Sequence, residues 1–194
     1  HRFSEPTLCY SPIPEPPNAT DTVALSGYYQ SVKYWEDYEP EVHRLFYPGE
    51  QIRTEARRRV RNLGGNVVAV NVRRGDYINK QSFHPVLPLS YYGEAFQYFP
   101  GATFAVFSDD IEWCRRYMNW PNVVFMPKGD AWLDLWTGAS CHHHIIANST
   151  FAWWMAYLNE YHAKRVVAPW TWLGPASGYE HNTPDVIPET WMRI

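Results

Sequence analysis

Apolar and polar positions change rhythm near Gly64-Gly65. Before that pair, apolar residues are irregularly spaced and interrupted by proline. After it, short apolar runs alternate with longer segments of helical period. Val67–Val72, Thr103–Phe107, Val123–Met126, His143–Ala147 and Arg165–Ala168 read as buried strands. Leu89–Phe99, Asp110–Met118, Asp130–Ser140 and Thr150–Tyr161 read as helices. Pro88 and Ser90 open the first of these helices, and Pro100-Gly101 stops it. Ser108 or Asp109 is expected to cap the second. Pro169 ends the last strand. Strand and helix in strict alternation, joined by short links, imply right-handed βαβ units and an α/β fold: a parallel sheet flanked by helices.

The first third is organised differently. Residues 1–24 are rich in proline and read as an extended lead-in, with Tyr28, Tyr29, Tyr34 and Trp35 in an aromatic, polar stretch after it. Glu41–Arg61 reads as helix broken near Pro48-Gly49, and its arginines at 53, 57, 58, 59 and 61 as a solvated face. The expected division is a lead-in over 1–26 and a single domain over 27–194. No repeat period is visible.

Composition narrows the classes. Of 194 residues, 45% are hydrophobic and 19% charged, so the chain has the means to fold. A net charge of −3 gives no basis for general nucleic-acid binding. No stretch approaches the roughly 20 apolar residues of a membrane span. Cys9, Cys114 and Cys141, odd in number and widely spaced, suit a reducing compartment. The expected location is cytoplasmic, or the Golgi lumen if the segment belongs to a membrane-anchored parent. Ten Trp and fourteen Tyr suit either core packing or sugar C–H faces. Asn18-Ala19-Thr20 and Asn148-Ser149-Thr150 both fit the N-glycosylation pattern.

Candidate chemistry collects where the strands end. Arg73-Arg74-Gly75-Asp76 follows the first strand of the regular region, Ser108-Asp109-Asp110 the second, Lys128-Gly129-Asp130 the third and Asn148-Ser149-Thr150 the fourth. In a parallel sheet all four groups share the edge where such folds bind ligands. Adjacent arginines at a strand end point to opposite sides. One is expected to grip a nucleotide-sugar's diphosphate with its planar fork, and the other to pair with Asp76 or an interior carboxylate. Ser149 and Thr150, at a helix N-terminus, offer hydroxyls and free N–H groups for the same anion, or an ordinary cap. One of Asp109 and Asp110 is expected to cap a helix and the other to contact ribose or guanine; a metal pair is the alternative. Phe151, Trp153 and Trp154 are expected to pack their helix on the sheet rather than stack on a base. His142-His143-His144 alternates faces and is read as structural rather than as a metal site.

The segments NVRRGDY, FSDDIEWC, CHHHIIANSTFAWWMAYLN and DVIPETWMRI, with GYYQSVKYW before them, closely resemble the α-1,2-fucosyltransferases of glycosyltransferase family eleven. The resemblance runs from about Gly27 to Ile194. It implies a Rossmann-like donor lobe of GT-B type, using GDP-β-L-fucose as donor and a glycan as acceptor, inverting the anomeric centre, with no metal and no further cofactor. Carried over by position, Arg73 holds the β-phosphate and Ser149 and Thr150 cradle the diphosphate, with Arg74 and Asn148 beside them. Asp109, Asp110 and Asp134 are candidates for ribose and guanine. The family usually has His where this chain has Asn71, which hydrogen-bonds but does not titrate. It also usually opens with a Gly-Gly-Leu-Gly-Asn-Gln segment that has no match here, so an N-terminal half or partner is expected to complete the enzyme. Asp76 and His84 are the ionisable candidates for the base, which stays unassigned between them and a residue outside this chain.

Overall fold

A computed structural model describes residues 1–16, 18, 20–178 and 183–194. Pro17 of the lead-in and Ala19 of the first glycosylation pattern lie outside the described residues. The described strands are β1 (Arg2–Ser4), β2 (Ala24–Ser26), β3 (Val67–Val72), β4 (Thr103–Ser108), β5 (Val123–Phe125), β6 (His143–Ile145), β7 (Val166–Ala168) and β8 (Met192–Arg193). The helices are α1 (Glu39–Leu45), α2 (Glu50–Leu63), α3 (Leu89–Phe96), α4 (Ile111–Tyr117), α5 (Ala131–Ala139) and α6 (Thr150–Tyr157).

Six strands form one wholly parallel sheet in the order β5-β4-β3-β6-β7-β8. The chain begins the sheet at its centre, works outward to one edge, then returns beside β3 and works outward to the other. The order therefore reverses between β3 and β6, the topological switch point at which doubly wound sheets bind ligands. Every residue of β3 is buried, as expected of a central strand covered on both faces.

The pleat of β3 and β4 separates two cores. Val68, Val70, Val72, Phe104 and Val106 face α3 and α4, meeting Tyr92, Phe96 and Cys114. Val67, Ala69, Ala105 and Phe107 face α2, α5 and α6, meeting Ala56, Val60, Trp136 and Met155. A third cluster joins α6 to the chain ends: Trp153, Ile146 and Val166 pack with Leu8, Trp172 and Trp191.

Boundaries shift for identifiable reasons. Helix α3 stops at Phe96, short of Phe99, because successive tight turns bring Phe99 N–H to Phe96 O and Ala102 N–H to Phe99 O ahead of β4. Helix α6 stops at Tyr157 rather than Tyr161. There Lys164 Nζ donates to the carbonyls of Ala156, Tyr157 and Asn159, closing the helix end. The cap of α4 is Asp110, whose Oδ1 accepts from Trp113 N–H at 3.2 Å, not Ser108 or Asp109. Pattern reading missed three strands. The lead-in forms β1 and pairs in parallel with β2, and β8 extends the sheet beyond β7. Each is two or three residues long, too short to show a period.

The arginines of α2 form a salt-bridge lattice. Arg53 and Arg57 reach Glu160, Arg58 and Arg59 share Glu55, and Arg59 also approaches Asp134. The two arginines hold the Glu55 carboxyl down at about 2.

Candidate active site

In the parallel β3–β4 pair, Val72 lies opposite Ser108. One residue further along, Arg73 stands beside Asp109, and the next step brings Arg74 beside Asp110. Side chains follow that register. Arg73 Nη1 lies 2.9 Å from Asp109 Oδ2, and Arg74 Nε 3.2 Å from Asp110 Oδ2. Asp109 Oδ1 also accepts from Arg74 N–H at 2.9 Å, so one carboxylate ties a guanidinium and a backbone together. Gly75 makes this possible. A Cβ there would sit 2.5 Å from Asp109 Oδ2.

The two arginines have different surroundings. Arg74 stacks its guanidinium 3.7 Å from the Trp113 ring centre and is spent on α4. Arg73 is more exposed. It pairs with Asp109 and with Asp76 at 2.6 Å, and lies over the Tyr77 ring at 5.0 Å. Asp76 also approaches Lys80 at 3.5 Å. Against the upward push of desolvation, Arg73 and Lys80 hold its carboxyl below the ordinary value, so it serves as an ion-pair partner.

A cleft of about 240 Å³ opens at this edge of the sheet. Every strand-end group contributes to its wall: Arg73 after β3, Ser108 and Asp109 after β4, Lys128 and Gly129 after β5, and Ser149 after β6. Asp134 and Phe151 also line it, as does an edge of the largely buried Asn71. Ser149 is the cap residue of α6, yet its side chain makes no capping hydrogen bond. Its hydroxyl and the unpaired N–H groups of the first turn are available to an anion in the cleft. Asp134 Oδ2 accepts from Gly129 N–H at 3.2 Å; burial pushes its carboxyl up, opposed by that bond and by Arg59.

The remaining expected residues go elsewhere. Arg74 and Asp110 pair beside α4, and Asp76 sits outside the cleft wall. Thr150, one step past Ser149, turns to the other side of the helix, where its Oγ1 accepts from Gln30 Nε2 at 2.7 Å. Asn148 is buried, its Nδ2 donating to the carbonyls of Pro85 and Trp172. Asn71 is buried as well, its Nδ2 3.1 Å from Met155 Sδ. The histidine run is structural. His142 and His143 accept backbone N–H groups from Val67 and Arg165, and burial pushes the imidazole of His144 down to about 3. Among the described residues no cluster of metal-ligating side chains forms.

The pattern undervalued Phe151. It sits at the start of α6, is 40% exposed and borders the cleft. Trp153 is buried and Trp154 stacks on Phe46 at 4.5 Å, so the packing role expected of all three falls to those two. Phe151 had one legible signal, its place in the first turn directly after Ser149.

Residues 18–193 match the family model for glycosyl transferase family 11. The chain belongs to glycosyl transferase family 11. Among curated relatives, it is 32% identical over 186 residues to an alpha-1,2-colitosyltransferase of Escherichia coli, covering 89% of this chain and 63% of that protein. It is also 32% identical over 140 residues to the O-antigen biosynthesis glycosyltransferase WbnK of Escherichia coli, covering 66% and 45%. A galactoside 2-alpha-L-fucosyltransferase SEC1 of Bos taurus is 31% identical over 160 residues, covering 70% and 42%. The chain thus spans between 42% and 63% of the length of these relatives. No solved structure matches it. The parallel sheet with helices on both faces is the Rossmann-like fold expected from the family-eleven motifs. No described helix of this family 11 chain is long and apolar enough to cross a membrane. A larger depression, about 440 Å³, lies away from the strand ends beside the Lys33–Asp185 ion pair and gathers none of the expected groups.

Proposed function

We propose that this chain is the donor-binding part of a fucosyltransferase. It takes L-fucose from GDP-β-L-fucose and passes it to a galactoside hydroxyl, in α-1,2 linkage and with inversion. The observation that carries this reading is the meeting of Arg73 and Ser149 in one cleft at the switch point of the sheet. Fixed positive charge and a helix N-terminus then face one diphosphate from two sides. As the bond between the sugar and the β-phosphate breaks, negative charge grows on the leaving diphosphate. Arg73, oriented by Asp76 and Asp109, stabilises that state more than the ground state. Asp109 and Asp134, which line the same cleft, take the ribose and guanine in this reading, and Phe151 offers a ring face to the base.

Calorimetry with GDP and GDP-fucose tests the reading, with transfer to galactosides measured beside it. Arg73→Ala is expected to weaken use of GDP-fucose by about 100-fold or more, equivalent to ~2.7 kcal/mol. Donor turnover and GDP affinity equal to wild type would remove Arg73 from the site. The partial span of the relatives supports a second reading, a lobe that binds the nucleotide-sugar without transferring it alone. Nucleotide binding with no transfer would select that one. The colitosyltransferase likeness makes a donor panel the companion measurement.

A further inference from the structure

Two consecutive residues at the start of α6 face different concavities. Ser149 borders the donor cleft, while Thr150 borders a groove on the other side. That groove has two chambers, of about 260 and 120 Å³, joined through Tyr28, Gln30, Thr150 and Trp172. Its outer wall is aromatic, with Trp35, Trp153 and Trp154. The inner chamber is bounded by Tyr77, His84 and Asn148.

Two buried polar atoms on the residues bounding this inner chamber have no hydrogen-bond partner among the described residues: Asn148 Oδ1 and His84 Nδ1. Asn148 is only 3% exposed. Its amide orientation is fixed, because Nδ2 donates to two carbonyls and Oδ1 is left as the acceptor. His84 stacks on Tyr77 with ring centres 4.6 Å apart. Burial lowers its proton affinity, and the charges of Lys80 and Arg73 add to this against the opposing pull of Asp76. Buried polar groups are normally satisfied, so a pair left open beside a cavity points to a ligand that completes them.

The lining specifies that ligand's chemistry. Neither chamber is lined by Lys or Arg, which disfavours a phosphate or carboxylate. A purely apolar ligand would leave Asn148 Oδ1 unmet. Aromatic faces combined with a few fixed hydrogen-bonding groups suit a neutral, hydroxyl-rich ring. The groove also adjoins the donor cleft, since Tyr77 packs against both Arg73 and His84.

We propose that this groove binds the acceptor saccharide, a neutral pyranose that rests on the aromatic wall and gives its hydroxyl groups to Asn148 Oδ1 and His84 Nδ1. Gln30 shapes the mouth. Its Oε1 accepts from Trp172 Nε1 at 3.3 Å while its Nε2 donates to Thr150. The assignment rests on the transfer reading given above.

The test titrates the 194-residue chain with methyl β-D-galactopyranoside, read by saturation-transfer difference NMR, and with GDP, read by calorimetry. Tyr28 is 62% exposed, so Tyr28→Ala leaves the fold intact. That variant and Gln30→Ala are each expected to weaken saccharide binding about tenfold, with GDP affinity held within about twofold. Undiminished saccharide binding in both variants overturns the proposal. So does the lack of any saccharide signal from the unaltered chain well above millimolar concentration. If the saccharide binds and GDP does not, the groove stands and the donor-cleft reading falls.

Discussion

Gly75→Ala tests how the β3–β4 register aims Arg73. An added Cβ would stand 2.5 Å from Asp109 Oδ2, about 1 Å inside ordinary contact. Backbone fixes the new methyl, so the carboxylate must retreat. The Arg73–Asp109 distance of 2.9 Å then grows beyond hydrogen-bonding range, and the bond from Arg74 N–H to Asp109 is strained with it. A partly exposed ion pair is worth about 0.2–1 kcal/mol and a backbone hydrogen bond about 1. The expected cost is therefore about 1–2 kcal/mol, a fall in Tm of about 2–8 °C for a chain of this size. Thermal unfolding of Gly75→Ala, Asp109→Ala and the double variant forms a closed cycle. If the clash is with Asp109, the alanine at 75 should cost under about 0.5 kcal/mol once Asp109 is gone. Additive losses would refute the account, because the methyl would then be colliding with something else. GDP affinity should fall about tenfold in Gly75→Ala, since Arg73 keeps its charge and loses its aim.

Three further outcomes follow from the packing. Arg74→Ala should lose its Trp113 stack and Asp110 pairing, lowering Tm by a few degrees at about 1 kcal/mol while GDP affinity stays within about twofold, in contrast to Arg73→Ala. Burial depresses the pKa of His144 to about 3 and lowers those of His143 and His84, so the unfolded chain takes up protons before the folded one does. The stability they confer is full above the ordinary histidine value and drains as pH falls toward 3; a His144→Gln chain should show a shallower loss of Tm between pH 7 and 4. Gly138→Ala would place a Cβ 2.0 Å from Met155 Sδ in the buried core, and calorimetric unfolding should show a loss of about 2–3 kcal/mol.

Much of the architecture was legible because periodicity is local. Apolar runs and helical spacing marked the core strands of the sheet and its flanking helices, and a glycine pair marked where the regular alternation starts. The short strands β1, β2 and β8 were not legible, because two or three residues carry no period and their pairing partners lie elsewhere in the chain. Within the site, the strand-end positions of Arg73, Asp109 and Ser149 could be read, but Phe151 was assigned to packing. Its neighbours Trp153 and Trp154 do pack; only the start of α6 at the cleft left the phenylalanine uncovered.

By itself the sequence determined that polar groups would gather at one edge of a parallel sheet, because strand direction and side-chain alternation follow from local pattern. It did not determine which of those groups meet. The register that sets Val72 opposite Ser108 gave Arg73 to the cleft and Arg74 to α4, and the direction of α6 sent Ser149 and Thr150 into separate concavities. These outcomes depend on hydrogen bonds and packing between residues far apart in the chain, which no local window contains.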